Sequence, residues 1–201
     1  MRNLMTDPER LWGTLMETAA IGGTAKGGIC RLTLTDLDRE VRNWFCAATE
    51  ALGCTVTTDD MGTMFARRAG QRPDVPPIAI GSHLDTQPTG GKFDGALGVL
   101  AALEVVRTLN DLGIETRHPV EVAMWTNEEG SRFAPAMVAS GVYAGVFPVE
   151  YGLARADSHG VKLGDELVRI GYAGPAAVGG RQVAAFFELH IEQGPILEEA
   201  G

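Results

Sequence analysis

Seven His, Asp and Glu residues of this 201-residue sequence, types that bind metal ions or move protons, gather in three stretches at the ends of apolar runs. His83 and Asp85 follow the apolar run 77–82, with Asp94 in the Gly-rich turn beyond. Glu128 and Glu129 follow the apolar run 119–126, and His190 and Glu192 follow the run 184–189. Imidazole nitrogen and carboxylate oxygen form a hard-to-borderline donor set that suits divalent ions such as Zn, Mn, Co or Ni. Crowding so many carboxylates together without a cation is opposed by like-charge repulsion and by desolvation. Metal ions are therefore their natural partner. Taken singly, each element has a blander reading: a His beside a strand is commonly structural, and paired Glu residues often complement a helix dipole. His118 and His159, which have no acidic pattern nearby, take that structural reading. The metal reading rests on three strand ends agreeing.

The elements that must position these residues can be read from periodicity. Asp7-Pro8 predicts a capped helix start, with the helix running over 8–20 to Gly22-Gly23. A Gly-rich loop covers 22–32. Thr35 and Asp38 are spaced like a capping box, and Leu37, Val41, Trp44, Phe45, Ala48 and Leu52 then recur at helical spacing up to Gly53. A strand is expected over 54–58 and a turn at 60–62. Beyond it, strands at 77–82, 119–126 and 184–189 alternate with helices at 95–112, 132–144 and 165–170. This alternation predicts an α/β fold with a mostly parallel sheet flanked by helices. In open α/β sheets ligands sit beyond the carboxyl ends of the strands, where the three stretches fall.

Composition narrows the function classes. Hydrophobic residues make up 45% and charged residues 21%, the profile of a folded chain. The net charge of -9 argues against a nucleic-acid partner, whose binding rests on clustered Lys and Arg. Three scattered cysteines, Cys30, Cys46 and Cys54, make no disulfide framework and read as reduced thiols of a cytoplasmic protein. The first 20 residues hold no apolar core of a signal peptide, and no run reaches the ~18 apolar residues of a membrane helix. Thr86–Phe93 is superficially like a phosphate loop but lacks its defining Gly and Ser/Thr. GxSxG and GxGxxG motifs are absent from the strand ends.

Four segments carry a family resemblance: GSHLDT around His83 and Asp85, GGKFDG around Asp94, WTNEEGSRF around Glu128 and Glu129, and ELHIEQGP from Glu188 to Pro195. They resemble the peptidase M20 superfamily, and within it the amidase branch of N-carbamoyl-L-amino-acid hydrolases, allantoate amidohydrolases and β-ureidopropionases. The segments GGICRL, ending on Arg31-Leu32, and RNWF, from Arg42, fit the same branch, and the similarity covers about 5–201. The resemblance implies a di-metal, aminopeptidase-like catalytic domain. His83 and His190 would bind one metal, Asp94 would bridge two, and Glu129 would bind the second. Asp85 would orient the His83 imidazole. Glu128 would be the general base towards metal-activated water. Gln193 would lie near the substrate.

The implied activity is hydrolysis of linear amide or ureido C–N bonds, foremost of N-carbamoyl-L-amino acids to amino acid, ammonia and carbon dioxide. The alternatives are an aminoacylase or dipeptidase of the same superfamily, and an inactive metal-binding or interaction domain. The expected partners are a small N-carbamoyl or ureido acid and, for the full-length protein, a second copy in a homodimer, with neither nucleic acid nor membrane.

Two departures from the family stand out. The chain has about half the family's length, so the whole of 1–201 is expected to be the N-terminal part of the catalytic domain. The lid or dimerisation domain and the C-terminal return of the catalytic domain, with its late His ligand, are expected to lie outside it. A fragment of that kind is expected to be inactive by itself. In addition, Met61-Gly62-Thr63 stands where the family has Gly-Asn.

Overall fold

The computed structural model describes residues 4–201. Helix α1, Pro8–Ala20, starts as its sequence predicts: Asp7 caps it by accepting from the Glu9 and Arg10 amides at 3.0 Å. Helix α2, Asp36–Glu50, is capped by Thr35, whose hydroxyl lies 3.4 Å from the Asp38 amide. The reciprocal half of the capping box is displaced. The Asp38 carboxylate reaches back to the Leu34 amide at 2.7 Å, one residue beyond the cap, and also takes the Arg42 Nε at 2.8 Å.

Strands β1 (Thr55–Thr58), β2 (Met64–Arg68), β3 (Ile78–His83), β4 (Val120–Trp125) and β5 (Ala185–Phe187) form one sheet in the order β1-β2-β4-β3-β5. β3 is parallel to both β4 and β5, whereas β2 is antiparallel to β1 and β4. The fold is therefore α/β with a mixed sheet in which β2 alone runs against the other four. Helix α3, Ala96–Asp111, crosses back over β3 and β4. One face of the sheet and helices α1 to α3 enclose the main core, built on Val41, Phe45, Met64, Val99, Leu103, Val122 and Met124. A second core joins helices α4 (Val138–Tyr143), α5 (Val149–Leu153) and α6 (Leu163–Ile170) to Leu34, Met61 and Phe133. A last turn of helix, α7, spans Ile196–Ala200. Among the described residues, no helix is long and apolar enough to cross a membrane.

Several sequence-derived elements differ from the structure. β2 has no counterpart in the reading above. The helix expected over 132–144 is confined to Val138–Tyr143, because the backbone before it is engaged elsewhere: the Phe133 carbonyl accepts from the Asn127 amide side chain at 2.7 Å, and the Met137 amide donates to the Glu128 carbonyl at 2.6 Å. The strand expected over 184–189 pairs only at 185–187, which leaves Glu188 and Leu189 past the ladder.

Candidate metal centre

The three strand ends converge. His83 closes β3, and its ring is almost wholly buried. Its Nδ1 lies 2.9 Å from the Asp85 carbonyl, a bond in which the ring must donate. That fixes the tautomer and leaves the Nε2 lone pair facing outward. His83 Nε2 stands 3.3 Å from Glu128 Oε2 and 4.0 Å from Asp94 Oδ1. His190 Nε2 approaches Asp94 Oδ1 to 3.3 Å, and its Nδ1 lies 2.8 Å from the Ile191 carbonyl. The two imidazoles are stacked, with centroids 6.0 Å apart. Potential ligand atoms of His83, Asp94 and His190 all lie within 4.8 Å of one another, and so do those of His83, Glu128 and Glu129.

Asp85 ties two of the strand ends together. Its carboxylate is buried and accepts from the Glu128 and Glu129 amides at 3.3 and 3.4 Å. Burial pushes this carboxyl up to about 6, against the pull of His83 and of the two amides. Burial by itself would lower the His83 imidazole, but the charges of Asp85, Glu128 and Glu129 outweigh it and raise the ring above its ordinary value. Burial also raises Glu129, whose other oxygen accepts from the Gln87 side chain at 3.0 Å.

Helix α3 begins beside the cluster, and Gly95 is its N-cap at φ 64°. A Cβ at that position would run into the His83 ring. The missing side chain is therefore what lets Asp94 and His83 share one wall.

Each sequence-derived site residue can now be placed. His83, Asp94, His190, Glu128 and Glu129 face one another, with Asp85 directly behind. Gln193, at φ 60°, donates its amide to the Asp94 carboxylate, so it touches the cluster itself. Glu192 turns away and accepts from the Leu197 amide at 2.8 Å, at the start of α7. Glu128 and Glu129 both come within ligating reach of the His83 group, so the distances give the two different neighbours without sorting base from ligand. Gln87 escaped the sequence reading. It sits two residues past Asp85, on the same loop, and that adjacency was the available signal.

The donor set fits divalent metal. His83 Nε2 and Glu129 Oε1 are buried and have no hydrogen-bond partner among the described residues. Buried polar atoms are ordinarily satisfied, and a lone pair on each, aimed at neighbouring carboxylates and imidazole, is what a cation requires. The structure thus offers two adjoining three-residue groups that share His83, a potential dinuclear site.

Comparison with known proteins identifies the family. The sequence profile described as Peptidase family M20/M25/M40 matches residues 79–201. The chain is 59% identical over 196 residues to an N-carbamoyl-L-amino-acid amidohydrolase of Rhizobium meliloti, covering 98% of this chain and 47% of that protein. A ureidoglycolate hydrolase of Arabidopsis thaliana is 31% identical over 99% of this chain and 44% of its own length. The crystal structure of an amidase of the hydantoinase/carbamoylase family from Burkholderia vietnamiensis superposes with a TM-score of 0.98 at 63% identity, covering 100% of this chain and 48% of that one. The chain spans about half the length of the curated relatives it matches.

Proposed function

This chain belongs to peptidase family M20/M25/M40, in its hydantoinase/carbamoylase branch, and from that premise we propose that it carries the metal-binding face of an amidohydrolase acting on linear amide or ureido C–N bonds. The substrate class is N-carbamoyl-L-amino acids, the class named for the relative with 59% identity. The observation that carries the reading is the meeting of His83, Asp94 and His190 with Glu128 and Glu129 at the ends of three strands. His83 and His190 would hold one ion, Glu129 a second, and Asp94 both. Nitrogen and oxygen donors of this kind suit Zn, Mn, Co or Ni. When bound, such ions supply Lewis-acid polarisation of the scissile carbonyl and bring the acidity of water towards neutral pH.

The chain's own residues do the rest. Glu128 stands at the edge of the cluster, its carboxylate 3.3 Å from His83 Nε2 and partly open to solvent. It takes the proton of the attacking water as the water oxygen bonds to the carbamoyl carbon. It then returns that proton to the departing amino-acid nitrogen as the C–N bond breaks. The carbamate left behind falls apart to ammonia and carbon dioxide. Asp85 holds the Glu128 and Glu129 backbones in register with His83, so that base and ligand stay a fixed distance apart. Gln193 holds Asp94 through its side-chain amide and would lie beside the bound substrate.

The test is Glu128→Gln in a chain of the relatives' full length. The variant should keep its metal by elemental analysis and lose at least about 100-fold in turnover of an N-carbamoyl amino acid, the scale of a lost general base. Wild-type turnover would remove Glu128 from its role. A parallel panel of N-carbamoyl, N-formyl, N-acetyl and dipeptide substrates, with ureidoglycolate added for the plant relative, tests the substrate class.

A further inference from the structure

The GGICRL segment of the sequence has no part in the chemistry above, yet its arginine is one of the most deeply buried large side chains in the molecule. Arg31 has no exposed surface. Its Nε donates to the Leu84 carbonyl at 2.8 Å. Its Nη1 donates to the carbonyls of Thr18 and Ile21 at 2.9 and 2.8 Å, at the C-terminal end of α1. That helix has no basic residue in its own last turn, so the loop arginine provides the cation that the end of the helix dipole favours. The backbone of Arg31 grips the same strand end a second time. Its amide donates to Thr86 Oγ1 at 2.8 Å, and its carbonyl accepts from the Thr86 amide at 2.9 Å. Leu84 and Thr86 are the two neighbours of Asp85, so Arg31 holds both flanks of that residue. Asp85 in turn holds His83 Nδ1 through its carbonyl and the Glu128 and Glu129 amides through its carboxylate.

We infer that Arg31 is a positioning residue of the metal centre: its buried guanidinium braces the 84–86 segment against the end of α1 and thereby sets the aim of His83 and the placing of Glu128 and Glu129. The inference rests on the metal reading of the site. Burial lowers the guanidinium's pKa, and the charges of Asp38 and Asp85 act against that fall. Asp38 is already paired with Arg42 at 2.8 Å. What fits the guanidinium to this role is its set of hydrogen bonds to the Leu84 carbonyl on one side and the Thr18 and Ile21 carbonyls on the other. A lysine could keep the charge but not the fork, since one ammonium cannot reach Leu84 and the α1 carbonyls in the guanidinium's planar geometry.

The experiment titrates the full protein with cobalt(II) chloride alone and follows the d–d absorption bands, beside urea unfolding of the metal-free protein. Arg31→Lys is expected to raise the cobalt dissociation constant about 10- to 100-fold and to shift the bands, the scale for partners that orient metal ligands. Val106→Ala, in the core away from the cluster, is the control for lost stability and should leave cobalt affinity within about twofold. Wild-type affinity and spectrum in Arg31→Lys would overturn the inference, whatever its stability. If Arg31→Lys does not fold, Thr86→Val removes the Oγ1 that accepts from the Arg31 amide and donates to the Gln87 carbonyl at 2.9 Å. Gln87→Ala, which takes the Gln87 side chain off Glu129, is the control for an effect passed on through that second bond. A several-fold loss of affinity in Thr86→Val beyond that of Gln87→Ala supports the brace, and no further loss overturns it. A wild-type protein that binds no cobalt would instead sink the metal reading, a result distinct from either variant's.

Discussion

Asp59 offers a direct test of how this fold handles buried charge away from the metal centre. It follows β1 and is 3% exposed. One carboxylate oxygen accepts from the Met61 and Thr63 amides at 3.0 and 2.9 Å, while Oδ2 has no hydrogen-bond partner among the described residues. Burial pushes the carboxyl up to about 7 from its ordinary 3.8. The two amides and Arg42 resist, and Asp60 adds to the rise. Because the folded chain holds this proton more tightly than the unfolded one, its contribution to stability is full below about pH 4. It is lost as pH rises to about 7 and is level above that. The window corresponds to about 4 kcal/mol at 1.36 kcal/mol per unit. Asp59→Asn keeps the accepting oxygen and cannot ionise. Its buried NH2 costs roughly 1–3 kcal/mol at every pH, so the slope carries the information and the level does not. Urea unfolding of both proteins at pH 5, 6, 7 and 8 should show the variant gaining on the wild type by a few kcal/mol across the series. Parallel stability curves for the two proteins would refute the reasoning.

Three further outcomes are expected. Gly95→Ala should abolish cobalt binding and lower stability by at least ~1 kcal/mol in urea, since it combines a positive φ with a collision against the His83 ring. Arg42→Met should cost about 3–5 kcal/mol by the same measurement, because it strands Asp38, whose pair with Arg42 is almost wholly buried. Gln193→Lys places a resident cation on Asp94, so metal affinity by cobalt titration should fall at least about tenfold while the metal-free protein unfolds no more easily than wild type.

What the sequence displayed and what it concealed divide along physical lines. Helices α1 to α3 were legible because their apolar residues repeat at helical spacing and their starts are marked by Asp7-Pro8, Thr35 and Gly95. β2 was not, since Met64, Phe65 and Ala66 are buried in succession and Arg67 and Arg68 follow, so no alternation marks a strand. Its charges make sense only in three dimensions. Arg67 meets the fully buried Glu121 of β4 at 3.1 Å, and Arg181 from the loop before β5 meets the same carboxylate. The convergence of the ligand types was visible as a pattern of strand ends, because a parallel arrangement sends β3, β4 and β5 to one rim. Gln193 was reachable only through the ELHIEQGP resemblance, and the roles of Gln87 and Arg31 towards that rim depend on side-chain direction across loops, which no periodicity encodes.

The charge distribution around that rim explains why its two sides are built differently. Behind the cluster, two backbone amides donate to the Asp85 carboxylate, and Arg31 holds the residues on either side of it. In front, Asp94, Glu128 and Glu129 face imidazoles and side-chain amides, and among the described residues none of the three makes an ion pair with Lys or Arg. A lysine or arginine placed there would satisfy the carboxylates and compete for the lone pairs that an ion needs. The fold instead keeps its fixed cation one layer back, where it can tighten the loop carrying His83 without entering the cluster. Rigidity thus comes from the buried arginine behind, and binding capacity from charge left uncompensated in front, so a substitution that adds a cation at the front while leaving the rear layer intact should exchange metal affinity for metal-free stability.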